Sequence, residues 1–166
     1  MKNLLVFALA LILLVPLAKT AFAAPAENVV PGQATRMPFQ GTMESKESYS
    51  TVSPTRFVTA NGSGQSNQLG RFTVSYHVEE NLLDLSGIAS IHFTGTNGDS
   101  LQAKGVGQAI EDRTPGMYNV VEIYTITGGT GRFAGASGTF TVKRLVSITV
   151  GIASSTFEGY ILVPSK

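Results

Sequence analysis

The chain has 166 residues, with 12 Lys or Arg, 11 Asp or Glu, 18 Gly and no Cys or Trp, a length that suits a single domain. At 14% charged and 43% apolar it excludes long disordered tails, and without Cys it excludes disulfide scaffolds and thiolate metal sites. With no basic cluster anywhere, nucleic acid is excluded as a partner, because neutralisation of phosphates dominates that affinity.

Taken in chain order, the first segment is an export signal. Lys2 precedes an apolar run over residues 4–17, and Ala21-Phe22-Ala23 places small residues where a signal peptidase reads. The run is shorter than the ~20 residues a spanning helix needs, and Pro16 and Lys19 interrupt its end. No Cys follows to carry a lipid. The expectation is a secreted or periplasmic protein with no stable membrane anchor once residues 1–23 are removed. Loss of Lys2 and Lys19 lowers the basic count from 12 to 10 against 11 acidic residues, so the mature chain is nearly neutral. Residues 24–36, with Pro25, Pro31 and Gly32, read as an extended leader, and 37–166 as the domain.

From there the dominant period is two. Strands are predicted over residues 37–44, 55–60, 71–80, 87–94, 100–110, 117–127, 139–149 and 152–163, each rich in β-branched and aromatic residues. Residues 62–70 read as a Gly, Ser, Asn and Gln-rich loop. Asn97-Gly98 suits a tight hairpin turn, and Pro115-Gly116 and the glycines at 128–131 mark further turns. Strands in series without intervening helices predict an all-β fold, a closed eight-stranded antiparallel β-barrel. Gly105 and Gly107, on one face with Ala103 and Ala109, would permit the curvature that closure needs. Val120, Val121, Ile123 and Ile126 make one strand apolar on both faces, which predicts a homo-oligomer, dimer or trimer.

Alternation also nominates a site. Phe72, Val74, Tyr76 and Val78 form the clearest inward face and are the candidate ligand-binding residues, together with Tyr118. Glu122 shares a face with Tyr118, Val120, Tyr124 and Ile126. If that face lines the lumen, desolvation would make Glu122 a general acid or base, with Tyr124 beside it as the second candidate catalytic residue; if it points outward, Glu122 is solvated. Glu158, on a face with Tyr160, could pair with Glu122 or lie in solvent. His77 and His92 stand on polar faces without a third ligand, so no metal site is expected. The glycines around Gly131 are followed by a strand pattern, with no helix N-terminus to hold a phosphate, and no cofactor is expected.

The run from Thr125 to Val142, with Gly128-Gly129-Thr130-Gly131-Arg132-Phe133-Ala134-Gly135-Ala136-Ser137-Gly138 at its centre, resembles a glycine hairpin of dirigent-like proteins and of bacterial proteins in the allene oxide cyclase barrel-like group. Leu69-Gly70-Arg71-Phe72, Asn97-Gly98-Asp99-Ser100-Leu101 and Phe157-Glu158-Gly159 agree in order and spacing. The resemblance implies a calycin-like eight-stranded barrel, commonly dimeric or trimeric, whose lumen takes up an apolar small molecule, lipid-like or phenolic. It implies no catalytic residue, because residues 39–44 do not reproduce the cyclases' first-strand motif and their lumen cysteine is absent. Three roles follow as expectations: a ligand-binding barrel, a cofactor-independent cyclase or isomerase using Glu122, or a ligand-free oligomerising module of the cell envelope.

Overall fold

The computed structural model describes residues 34–165. The expected export signal and most of the expected leader therefore lie outside the described residues. Eight antiparallel strands close into a barrel in chain order: β1 Thr35–Val52, β2 Thr55–Ser66, β3 Gly70–Asn81, β4 Ser86–Gly95, β5 Ser100–Glu111, β6 Met117–Thr130, β7 Ser137–Ser147 and β8 Ile152–Val163. Each strand pairs with its neighbours in sequence, and β1 closes the ring on β8. Such an up-and-down barrel leaves no unpaired edge to satisfy.

The first two strands correct the sequence reading. β1 begins inside the expected leader, with Thr35 and Arg36 paired to Val163 and Leu162. It then runs well past residue 44, because one 18-residue strand serves two neighbours, pairing β8 with its first part and β2 with its last. Its second half carries no hydropathy alternation, since Ser45, Glu47 and Tyr49 turn inward while Glu44, Lys46 and Ser48 turn outward. Likewise the glycine-rich stretch after Ala60 is the end of β2, not a loop, up to Ser66. A Cβ at Gly64 would come 2.1 Å from the Thr42 carbonyl oxygen and 2.6 Å from the Phe72 ring, so glycine there marks close strand packing. The Asn97-Gly98 turn is present, with Gly98 at φ 87°.

One half of the barrel interior is packed with aromatic rings. Phe39, Phe72, Phe93, Phe140 and Phe157 meet at centroid separations from 4.8 to 6.1 Å, several of them edge to face, the arrangement that ring quadrupoles favour. Phe133, on the 3-10 turn Gly131–Phe133, is fully buried and closes this end. Arg132 beside it is held by Asp99 at 2.9 Å and by the Gln68 carbonyl, so its guanidinium ties three turns together.

The outer surface is less polar than a solvated sheet face. Ile88 pairs with Val106 and Val106 with Ile123, and all three are exposed, an apolar row across β4, β5 and β6.

Candidate functional site

Beyond the aromatic half, the inward positions become polar. β1 contributes Ser45, Glu47 and Tyr49, β2 Arg56, β3 Tyr76 and Glu80, β6 Tyr118, Glu122 and Tyr124, and β7 Arg144. Each stands on the same alternation phase as the apolar residues of its strand, so the pleat that buries the core also buries these groups.

Arg144 is the centre of the arrangement. Its Nη1 donates to Glu47 Oε1 at 2.7 Å and its Nη2 to Glu122 Oε1 at 3.0 Å, with all three side chains nearly sealed from solvent. Its guanidinium also lies 4.9 Å from the Tyr76 ring centroid. Glu47 is saturated with donors, since Tyr76 Oη donates to Oε1 at 2.5 Å and Tyr49 Oη to Oε2 at 2.6 Å. The Tyr76 proton is thereby committed, so the Ser45 hydroxyl 2.7 Å away donates to the phenol oxygen. Two buried polar atoms lack a partner among the described residues: Arg144 Nε and Ser155 Oγ, whose residues are cross-strand neighbours on β7 and β8.

One guanidinium thus faces two carboxylates in a low-dielectric setting. Burial pushes the Glu122 carboxyl above the usual carboxylate range; Arg144 pulls it down and the Glu47 charge adds to the rise. Burial likewise raises the Tyr124 phenol, reinforced by Glu122, and raises Tyr49 and Tyr76, both beside Glu47. These phenols stay protonated and act as donors at neutral pH.

Above this floor lies a cavity of about 40 Å³ that opens at the barrel mouth. Val58, Val78, Val120, Val146, Leu85 and Ile148 supply aliphatic walls, and Glu47, Glu122, Arg144 and Tyr118 the polar surface. The space holds a few waters or a ligand head group, well short of the ~300 Å³ that encloses a whole drug-sized molecule. At the mouth Arg56 is held on Glu80 Oε2, with Nη2 at 2.5 Å and Nε at 2.6 Å. Its guanidinium sits 5.8 Å from both the Tyr49 and the Tyr118 ring centroids.

The residues nominated from sequence separate into three groups. Glu122, Tyr118 and Val78 line the cavity. Tyr76 and Tyr124 stand behind it, Tyr76 bonded to Glu47 and Tyr124 stacked on Phe140 at 5.1 Å. Phe72 and Val74 belong to the buried core, and Phe72 packs against Phe93 and Phe157, away from the cavity. Glu158 is exposed, so the carboxylate brought to Glu122 is Glu47. His77 and His92 are exposed. Gly105 and Gly107 do more than allow curvature. A Cβ on Gly105 would come 2.7 Å from the Tyr124 ring, and one on Gly107 2.5 Å from Glu122 Cγ, so both glycines make room for the site.

Glu47, Arg56, Glu80 and Arg144 were missed from sequence. For Arg144 and Glu80 the signal was present, because Arg144 continues the phase of Phe140 and Val142, and Glu80 that of Tyr76 and Val78. A charged residue on an apolar phase was the clue.

No protein-family model and no curated protein matches this sequence. Among solved structures, the chain is similar to the pterocarpan synthase dirigent protein GePTS1, with a TM-score of 0.59 and 12% identity over 88% of this chain and 99% of that one. At that identity the likeness is one of fold: the chain has the closed eight-stranded barrel of a dirigent protein.

Proposed function

We propose that this chain is an exported, dirigent-like barrel that binds a small molecule with an apolar body, lipid-like or phenolic, at the open half of its lumen. The observation that carries this reading is the cavity, where aliphatic walls converge on Glu122 and Arg144. Its small volume means that only a head group enters, while the apolar body rests at the mouth against Leu85, Ile148 and Tyr118. The exposed row Ile88, Val106 and Ile123 supports self-association of the barrel.

A second reading is favoured by Glu122 in particular. A desolvated carboxyl in a cavity wall is suited to proton transfer, so the same pocket would act as a cofactor-independent cyclase or isomerase with Glu122 as acid or base and Tyr124 orienting it. The similar barrel of GePTS1 belongs to a synthase, which is consistent with either role. The aromatic half offers no room for a ligand and is what a purely structural module would have throughout.

Native mass spectrometry of the purified protein tests binding, together with thermal melting against a panel of phenols and fatty-acid derivatives. A retained mass or a saturable rise in Tm is expected. Absence of both across the panel would leave the structural module. If turnover of any panel member is found, Glu122→Gln should abolish it; unchanged turnover would remove the catalytic reading.

A further inference from the structure

The two ends of the barrel differ in what they show to solvent. At the closed end, the turns at residues 67–69, 96–99 and 131–136 expose no large apolar side chain, and those they carry, Leu69 and Phe133, are buried. At the open end the reverse holds. Val52 precedes the β1–β2 turn, Leu83 lies in the β3–β4 turn, Ile110 nears the end of β5, and Val150 lies in the β7–β8 turn. Leu83 is 81% exposed, and Val52, Ile110 and Val150 are between 64% and 69% exposed. Turns favour Gly, Asn, Asp and Ser, so bare aliphatics at these places have no local structural reason.

These side chains ring the cavity mouth, whose lining includes Leu85 and Ile148 from the same turns. They stand on a stiff frame, because the open-end turns are tied to one another and to neighbouring strands through the backbone. Leu82 N–H donates to the Pro54 carbonyl at 2.8 Å, Ala109 N–H to Leu85 at 3.0 Å, Ile148 N–H to Gly116 at 3.0 Å and Glu47 N–H to Gly151 at 2.8 Å.

Area and charge indicate what such a ring fits. A fully exposed Val, Leu or Ile side chain offers about 60–120 Å². The four together present about 200–300 Å², well short of the ~800 Å² per partner of a stable protein interface. The open-end turns carry Asp84, Asp112 and Arg113, with no basic cluster to seek anionic lipid. Nor does the wall suit a bilayer, since Arg71, Thr73, His77 and Glu79 face outward on β3, where a spanning barrel carries an apolar band.

We propose that the open end docks reversibly on the surface of a zwitterionic lipid bilayer, with Val52, Leu83, Ile110 and Val150 immersed among the head groups and the cavity mouth facing the acyl chains. A small apolar area without charge attraction gives weak attachment, unlike an anchor. The docking stands on the turns alone. Its use, passing an apolar ligand between bilayer and pocket without a step through water, rests on the binding role above.

Flotation with phosphatidylcholine vesicles tests this, using the mature protein so that the apolar run at residues 4–17 does not contribute. The wild type should float, with an affinity that added phosphatidylserine or salt changes by less than about threefold. Leu83→Asp combined with Val150→Asp should weaken binding at least about tenfold, at an unchanged Tm, and Val106→Glu on the outer wall should weaken it less. Absence of wild-type flotation, binding only with phosphatidylserine present, or a greater loss in Val106→Glu than in the double variant overturns the proposal. So does a wild-type dimer that the double variant dissociates while neither floats, which makes a second copy the occupant. The wild-type lipid dependence decides the matter even if the double variant does not fold. Docking without any retained or stabilising ligand removes only the binding role, and a retained ligand without docking removes only this proposal.

Discussion

Arg144 holds two carboxylates inside the barrel, and its removal would strand both. Breaking a buried ion pair costs about 3–5 kcal/mol, because the remaining charge keeps its desolvation penalty and loses its compensation. Arg144→Ala should therefore lower unfolding free energy by about that amount in urea titration; a loss below about 1 kcal/mol would mean the triad is hydrated and of surface strength. Glu122 makes a separate statement about pH. Its folded-state pKa is raised above the unfolded value of 4.5, so the folded protein binds the extra proton. The stability this confers is full below that value and is lost as pH rises through the folded pKa. Relative to Glu122→Gln, the wild type should lose stability as pH increases above 4.5. Parallel pH profiles for the two proteins would show that the Glu122 carboxyl titrates alike in the folded and the unfolded chain.

At the scale of elements, β5 and β1 shape the site in opposite ways. β5 recedes, placing Gly105 and Gly107 opposite Tyr124 and Glu122. Gly107→Ala would drive a methyl to 2.5 Å from Glu122 Cγ and 2.9 Å from the Val121 carbonyl oxygen, and overpacking of this kind costs about 1–3 kcal/mol. The expected result is that loss in chemical denaturation together with weaker ligand binding, since the carboxylate must shift. An unchanged protein would show that β5 moves freely. β1 advances instead, presenting Ser45, Glu47 and Tyr49 on the phase that carries Phe39 and Met43 in its first half. A strand polar on both faces has no hydropathy period to read, which is why this half of β1, and Glu47 with it, was not legible in the sequence. Glycines hid the end of β2 in the same way, because they mark turns more often than packed strands.

For the whole molecule, the apolar outer row and the filled aromatic half assign different work to different surfaces. Val106 lies between Ile88 and Ile123 on adjacent strands, and Val106 and Ile123 are about 60% exposed. If this face joins copies of the barrel, sedimentation should find an oligomer in the wild type, and Val106→Glu should dissociate it without unfolding the barrel. A wild-type monomer would remove this surface from consideration. The aromatic half should form the stable nucleus of the fold, because it buries its rings without any charge to desolvate.

Period-two alternation with turn residues between the runs determined the all-β class, the eight strands and the inward face of β3, because backbone pleating ties side-chain direction directly to sequence position. The same rule placed Glu122 on one face with Tyr118 and Tyr124, though it left open which face was inward. Barrel closure decided that. It brought Arg144 of β7 onto Glu47 of β1 and Glu122 of β6, residues 97 and 22 positions apart in the chain. It also sent Glu158 outward and consigned Phe72 to the packed half. Such partnerships depend on which strands lie across the lumen from one another, a distance set by strand number and tilt, and local sequence carries no record of it.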